Sequence, residues 1–452
     1  MHYGRARGHG RLAPQKQILS QSRRRLELVG LENLRYTAAV WRAAAAALAL
    51  ALLIPVAALA ADDGIPLGPL VVKPSIKIEA IYDSNVYREQ RAPDADLGLT
   101  LLPRVGFVYP GENFRWEFDA YYRFFTYFNV AGINHNALRD LANFGIGTTI
   151  DANRQGKFGF WTSPSFANRR GRRGADTAID EGSDLSYEIA VDVPIEFRIR
   201  PTQAFQIGVD GHWEYIRAYF PVFDPDAQIL GQTHDVGGGL SLDWKFFPRS
   251  HLLVDAGLGH IFVGESAALN HDNTVENTHW RARVGIKGDV TRKLSMLGKI
   301  GYGNVYLGPA LADQNLTALE GLIGTAEIAL RPVPSQRLSL GFDRDFSFAY
   351  YAYHVTDTQV YFKYKGTIAD RLGIGARFVD TYRDLEGDAG GADPGIPRTE
   401  HQFLGAVDVE VMVAQWFHIL AGYQFSAVNP SSSNVGEYID NRVHLGVSLG
   451  FR

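Results

Sequence analysis

Asp184-Leu185-Ser186-Tyr187-Glu188-Ile189-Ala190-Val191-Asp192-Val193-Pro194-Ile195-Glu196-Phe197-Arg198-Ile199 alternates between apolar and polar residues over sixteen positions. Successive side chains of an extended chain point to opposite faces, so this stretch is a strand with one oily face and one wet face. Leu185, Tyr187, Ile189, Val191, Val193, Ile195, Phe197 and Ile199 make the oily row, opposed by Asp184, Ser186, Glu188, Asp192, Glu196 and Arg198. The C-terminal stretch repeats the pattern, with Ile439, Val443, Leu445, Val447, Leu449 and Phe451 against Asp440, Arg442, His444, Gly446 and Ser448. Both runs far exceed the roughly 5 to 6 residues of an ordinary soluble strand and suit a tilted membrane crossing.

Working outward, alternation begins at Val71 and recurs to the C-terminus, divided by turn signals in a long-short rhythm. Short turns are expected at Pro110 to Asn113, Ala152 to Gly156, Arg200 to Thr202, Pro248-Arg249, Thr291-Arg292, Pro332 to Gln336, Ala369-Asp370 and Ala414-Gln415. Longer connections are expected near 86–96, 129–136, 169–183, 219–232, 265–276, 308–315, 385–398 and 430–437, with a tight one at Tyr351. The count is about 18 antiparallel strands, with 16 as the alternative, in an up-and-down transmembrane β-barrel that is all-β. An even number puts both ends of the barrel domain on the short-turn, periplasmic side. A soluble sandwich would use shorter strands, and a propeller would show repeats of about 40 to 50 residues, which do not occur here. Pro74, Pro103, Pro164 and Pro194 interrupt the pattern, and bulges or bends are expected there because proline donates no ladder hydrogen bond. Aromatic runs at Tyr121-Tyr122-Arg123-Phe124-Phe125, Phe346-Ser347-Phe348 and Trp416-Phe417 are expected to sit in interfacial girdles.

Composition agrees with this division. Aromatics are 12% of residues and Gly numbers 47, a mixture for many short strands and turns. Basic and acidic residues nearly balance at 45 and 49, which excludes the basic footprint of a nucleic-acid-binding protein. The absence of Cys excludes disulfide scaffolds, thiolate metal sites and a lipoprotein anchor. Ala43 to Ala60 is apolar and closes on Ala58-Leu59-Ala60 before Ala61-Asp62-Asp63, so it is read as a secretory signal peptide cleaved near Ala60. The domain plan is therefore residues 1–60 as N-terminal extension and signal peptide, 61–70 as a short periplasmic linker, and 71–452 as the outer-membrane barrel.

If the oily row of each strand meets lipid, the other row lines a lumen. Arg281, Arg283, Lys287, Lys299, Lys363, Lys365, Arg377 and Arg383 then make a basic wall, and Glu188, Asp192, Glu196, Asp210, Glu214, Asp243 and Asp255 an acidic one. Opposed walls would orient polar solutes, or neighbouring charges would merely neutralise one another as structural ion pairs. Tyr121, Phe125 and Tyr127, with Arg123 among them and Tyr361 further on, share the inward parity and offer ring faces beside cations, where sugar units could stack and acidic groups pair. The same rings could equally anchor a barrel rim. Arg169-Arg170-Gly171-Arg172-Arg173 opens the most charged connection, a candidate gate or an external loop in contact with lipid phosphates. Gly446-Val447-Ser448-Leu449-Gly450 matches a nucleophile-elbow pattern but falls inside the last strand, where no elbow can form. With no metal-spaced His cluster or phosphate loop either, no catalytic, metal or cofactor site is expected.

The opening strand ends in Tyr82-Asp83-Ser84-Asn85-Val86. An aromatic followed by Asp-x-Asn and Val resembles the start of a family of outer-membrane β-barrel porins encoded with exopolysaccharide synthesis genes. The likeness extends as pattern over the mature chain, including a final strand ending near an aromatic, here Phe451 before Arg452. It implies a conduit for polysaccharide secretion across the outer membrane, with the polymer as cargo, a periplasmic polysaccharide export protein as partner, and lipid, lipopolysaccharide and the barrel assembly machinery as surroundings. A general diffusion porin for small hydrophilic solutes and a non-conducting structural barrel are the competing expectations.

Overall fold

The computed structural model describes residues 64–85, 95–128, 143–170, 187–219, 229–264, 275–307, 319–349, 352–388, 398–430 and 437–451. The N-terminal extension, the signal segment and most of each long connection, Arg172 and Arg173 included, lie outside the described residues. β1 (Ile65–Leu67) is a three-residue flap within the stretch expected as linker, and it folds back on the base of β2 (Leu70–Asp83). β3 (Asp96–Pro110) follows, then β4 (Phe114–Tyr122) and β5 (Phe124–Tyr127), two halves of one strand parted at Arg123. β6 (Phe144–Ala152) leads to a second divided strand, β7 (Phe158–Thr162) and β8 (Ser165–Arg170). The wall continues through β9 (Tyr187–Thr202), β10 (Phe205–Tyr219), β11 (Ile229–Phe247), β12 (Ser250–Val263), β13 (Val275–Asp289) and β14 (Leu294–Leu307). β15 (Leu319–Leu330), β16 (Gln336–Ala349), β17 (Ala352–Ile368), β18 (Leu372–Asp388), β19 (Arg398–Ala414), β20 (Phe417–Pro430) and β21 (Tyr438–Gly450) complete it. With β4–β5 and β7–β8 each taken as one strand, every strand pairs antiparallel with the next, and β21 pairs back on β2 from Ser75↔Gly450 to Asp83↔Arg442. Counting each divided strand once and setting the flap aside, the molecule is a closed barrel of eighteen strands. Closure leaves no sheet edge, the condition for a sheet to stand in hydrocarbon.

Seven of the eight short turns fall where the sequence puts them, between β3 and β4, β6 and β7, β11 and β12, β13 and β14, β15 and β16, β17 and β18, and β19 and β20, while the one expected at Arg200 to Thr202 comes later, at Gln203-Ala204, because β9 runs on through Thr202. In the Ala369-Asp370 turn both residues adopt positive φ, 50° and 56°, the left-handed pair that a tight hairpin uses. The prolines behave differently from one another. Pro103 and Pro194 lie inside continuous strands, opposite Ile76 and His212, with no register shift, so the bulges expected there do not form. Pro74 is opposite Val105 at the point where β21 has ended, so its missing donor costs no ladder bond to that strand. Only Pro164 breaks a strand, parting β7 from β8, and the register of Thr162↔Ile195 resumes at Ser165↔Asp192. Side chain and backbone repair the gap: the Thr162 hydroxyl donates to the Pro194 carbonyl at 2.7 Å, and the Thr148 N–H donates to the Pro164 carbonyl at 2.9 Å.

The Tyr82-Asp83-Ser84-Asn85 motif is the clasp of the barrel. Asp83 is 0% and Asn85 1% exposed. The Arg442 guanidinium of the last strand lies 2.9 Å from Asp83 and 3.0 Å from the buried Asp440. The Asn85 N–H donates to Asp83 Oδ1 at 3.0 Å, closing an Asx turn, and its side-chain amide donates to the Ile439 carbonyl at 3.1 Å. Ser84 completes the seam, its N–H donating to the Asn441 carbonyl while its hydroxyl accepts from the Asn441 N–H. Tyr82, by contrast, is 43% exposed on the opposite face. At the other end of β21, Gly450 turns with φ 115° and Phe451 is 5% exposed, its N–H donating to the Pro74 carbonyl at 3.0 Å. Phe451 therefore leaves the exposed row of Ile439, Val443 and Leu445 that parity alone assigned it to.

Candidate functional site

The two faces of the closed sheet differ sharply. One carries an exposed apolar row on nearly every strand, such as Val236 and Leu240 on β11, Leu258 on β12, Ile286 on β13, Ile300 on β14, Leu322 on β15 and Leu340 on β16. The other carries the charges, and one contact fixes it as the concave side. Asp345 on β16 lies 3.1 Å from Arg281 and 3.5 Å from Arg283, both on β13, a span across β14 and β15 that side chains can make only inside the curve. The backbone bends to allow it. Pairing between β15 and β16 ends at Gly324↔Arg344, and Asp345 to Ala349 pair with β17 alone, so the top of the β16–β17 hairpin leans into the barrel. Arg344 fills the parted seam, donating to the freed Leu322 carbonyl at 3.2 Å and to the Thr358 hydroxyl at 2.8 Å. Phe346 consequently is not in a girdle: its ring packs on the inner face of β14, 2.8 Å from where a Cβ on Gly303 would stand, and reaches towards Gly321.

Charged residues on the concave face fall into three groups. On β9 to β11 acids stand directly opposite acids, Asp210 against Glu196 and Glu214 against both Asp192 and Asp235. Within this acidic patch His212 approaches Asp235 at 3.4 Å, and Arg198 stays with Asp151 while 3.9 Å from Glu196. From β11 to β14 the charges cancel. Lys287 pairs with Asp243 at 2.5 Å, and Asp255 holds both Arg283 at 2.7 Å and Lys299 at 2.6 Å. On β16 to β18 cations stand opposite cations, Lys365 against Arg337 and Lys363 against Arg377. Arg337 has Glu327 at 2.6 Å, while Lys363, Lys365 and Arg377 pair with no carboxylate among the described residues.

Rings on the concave face share one device that the alternation pattern does not reveal. Tyr121 lies opposite Gly145, Tyr361 opposite Gly341, His212 opposite Gly237, His279 opposite Gly259 and His444 opposite Gly422. In each pair a Cβ on the glycine would collide with the ring, so the missing side chain lets the ring lie flat along the wall. Tyr361 is fixed there by its hydroxyl donating to Glu327 at 2.9 Å, with the Lys363 ammonium 4.1 Å from the ring centre. Phe125 stands opposite Thr100 on β3, and the backbone of Tyr127 opposite Gly98. Arg123 is exposed at the strand break, its N–H donating to the Asn143 carbonyl at 2.7 Å. Arg169 and Arg170 do not open a loop; the backbone of β8 runs through them, paired with Glu188 and Tyr187. Ser448 of the Gly446 to Gly450 run is buried in extended β21.

No family model matches the chain, and no curated protein matches it. Among solved structures it is similar to OccK3 (OpdO) of Pseudomonas aeruginosa, with 11% identity, TM-score 0.43, and 84% of this chain and 96% of that one covered. OpdK of the same organism, solved with vanillate, gives 10% identity, TM-score 0.44 and coverage of 84% and 98%. The ferric-catecholate import receptor Fiu of E. coli K12 gives 8% identity, TM-score 0.42 and coverage of 83% and 81%. Likenesses at this level carry no statement about what this chain transports.

Proposed function

We propose that the protein is an outer-membrane barrel acting as a conduit, and that its cargo is a secreted exopolysaccharide. The observation that carries the conduit is the inversion of the soluble plan: the closed sheet exposes its apolar row outward and keeps its charges on the concave face. A sheet so arranged is stable only where lipid replaces water on the outside and water fills the inside. The ring-on-glycine pairs support the cargo reading. A tyrosine or histidine lying flat turns its π face to the lumen, the geometry for stacking a sugar ring, and it narrows the passage less than a ring standing out from the wall. An acidic patch on β9 to β11 and a basic one on β16 to β18 add a transverse field for a polar chain. A periplasmic export protein at the short-turn end and lipopolysaccharide around the outer rim are the partners this function requires.

Deleting the gene cleanly and scoring surface polysaccharide beside small-solute uptake in the same strain tests the cargo. Loss of polymer with normal uptake is expected. Normal polymer with impaired uptake would leave a diffusion porin, and loss of neither, together with no conductance in planar bilayers, would leave a structural barrel.

A further inference from the structure

The patch on β16 to β18 is costly as it stands. Two cations directly opposite on neighbouring strands repel, and here Lys363 faces Arg377 while Lys365 faces Arg337, four cations staggered across three neighbouring strands. On β13 and β14 of the same face Arg283, Lys287 and Lys299 each have a carboxylate. The described carboxylates around the patch contact other groups. Glu327 holds Arg337 and accepts from Tyr361, Asp343 accepts from the Thr325 hydroxyl at 2.5 Å, Asp408 is 3.3 Å from His444, and Glu410 is 2.6 Å from His418. Asp357, higher on β17, lies 3.0 Å from Arg383.

Lys363, Lys365 and Arg377 are exposed on the concave face, and Lys365 is three residues from Ile368, where β17 ends at a short turn. Cations this close to the mouth would be met first by anything entering from the short-turn side. Tyr361 sets a flat ring beside them, held by Glu327 on one side and covered by Lys363 on the other. Cations without counter-ions, one of them seated on a fixed ring, form a receptor for a unit bearing an oxyanion: the ammonium and guanidinium groups take the carboxylate, sulfate or phosphate, and the Tyr361 ring holds the Lys363 ammonium in place.

We propose that Tyr361, Lys363, Lys365 and Arg377 form an anion-binding site at the short-turn mouth of the lumen, which captures the acidic groups of an extended polar chain. This deepens the conduit function and rests on it for the direction of entry, but not for the site itself. The test is calorimetric titration of the purified full chain in detergent with hexagalacturonate, with neutral maltohexaose and with inorganic phosphate, alongside conductance in planar bilayers. Binding of hexagalacturonate is expected, at least tenfold weaker for the triple variant Lys363→Gln, Lys365→Gln, Arg377→Gln and restored within threefold by Lys363→Arg, Lys365→Arg, Arg377→Lys. Heat-modifiable gel migration of each variant confirms that the barrel is folded. Equal binding by wild type and the Gln variant would overturn the site, as would maltohexaose binding as tightly as the acidic hexamer. Phosphate binding as tightly as the hexamer would overturn a chain-borne ligand. A sealed barrel that still binds would overturn the conduit and keep the site, whereas a conducting barrel that does not bind would do the reverse.

Discussion

Two stretches of one wall make opposite use of the same residue types. Between β11 and β14, Arg283, Lys287 and Lys299 are bound by Asp243 and Asp255 on strands one or two away, within 2.5 to 2.7 Å. Between β16 and β18, Lys363, Lys365 and Arg377 occupy equivalent inward positions and have no such partner among the described residues. Parity and composition are alike, so the difference comes from what lies within reach: in the first stretch Asp255 stands opposite Arg283, and Lys287 and Lys299 reach Asp243 and Asp255 across one strand, whereas in the second another cation stands directly opposite. The first is a neutral, braced surface past which solutes move with little discrimination. The second keeps its charge available, and repulsion between its members is relieved only when an anion arrives.

The sharpest way to break this contrast is to strip the braced stretch of its acid. Asp255→Asn leaves Lys299 without a partner, while Arg283 retains Asp345 at 3.5 Å. Losing one partner of a half-buried pair should lower unfolding stability by about 2 to 3 kcal/mol, read from urea titration in detergent, and raise anion selectivity in bilayer reversal potentials. A stability change below about 0.5 kcal/mol would mean the pairs brace nothing. Next in size, Gly341→Val forces the Tyr361 ring off the wall; overpacking of this kind costs about 1 to 3 kcal/mol, and with the ring displaced its bond to Glu327 is lost. The same substitution at Gly298, where a Cβ would meet nothing within 4 Å, should be near neutral, and equal costs at both would sink the ring-seating role.

Smaller effects run the contrast backwards. Lys363→Glu places an acid opposite Arg377 and makes the bare stretch resemble the braced one, so a gain of about 0.5 to 1 kcal/mol is expected together with reduced anion selectivity. Unchanged selectivity would remove the patch from the permeation path. Smallest in stability is Asp345→Asn, which loosens the leaning β16–β17 hairpin from Arg281 and Arg283 at a cost of under about 1 kcal/mol. Its expected readout is larger single-channel conductance, since Phe346 is freed from the inner face at Gly303; equal conductance would place the narrowest point elsewhere.

Much of the architecture was legible before any coordinates. The run from Asp184 to Ile199 reads as a strand because side-chain alternation is local, and most of the short turns are marked by Pro, Gly, Asp or Asn between alternating runs. The prolines were less transparent. Pro164 parts a strand and Pro194 does not, although the carbonyl of each finds a donor, the Thr148 N–H and the Thr162 hydroxyl. Phe346 looked like one more girdle aromatic, but its strand leaves the wall two residues earlier, where pairing with β15 stops. Asp83 and Asn85 stood out as a motif, yet that they close the barrel against Arg442 and Ile439 depended on residues more than 350 positions away.

The amino-acid sequence by itself determined which residues extend, which face of each strand is oily and where the chain reverses, since these follow from periods of two and from turn chemistry within a few residues. Tertiary structure alone decided which acid meets which base, which glycine seats which ring and where the hairpin leaves the wall. Those outcomes depend on the stagger between neighbouring strands and on curvature that brings β13 and β16 within reach, and a shift of register by two residues would preserve every parity while exchanging every partner.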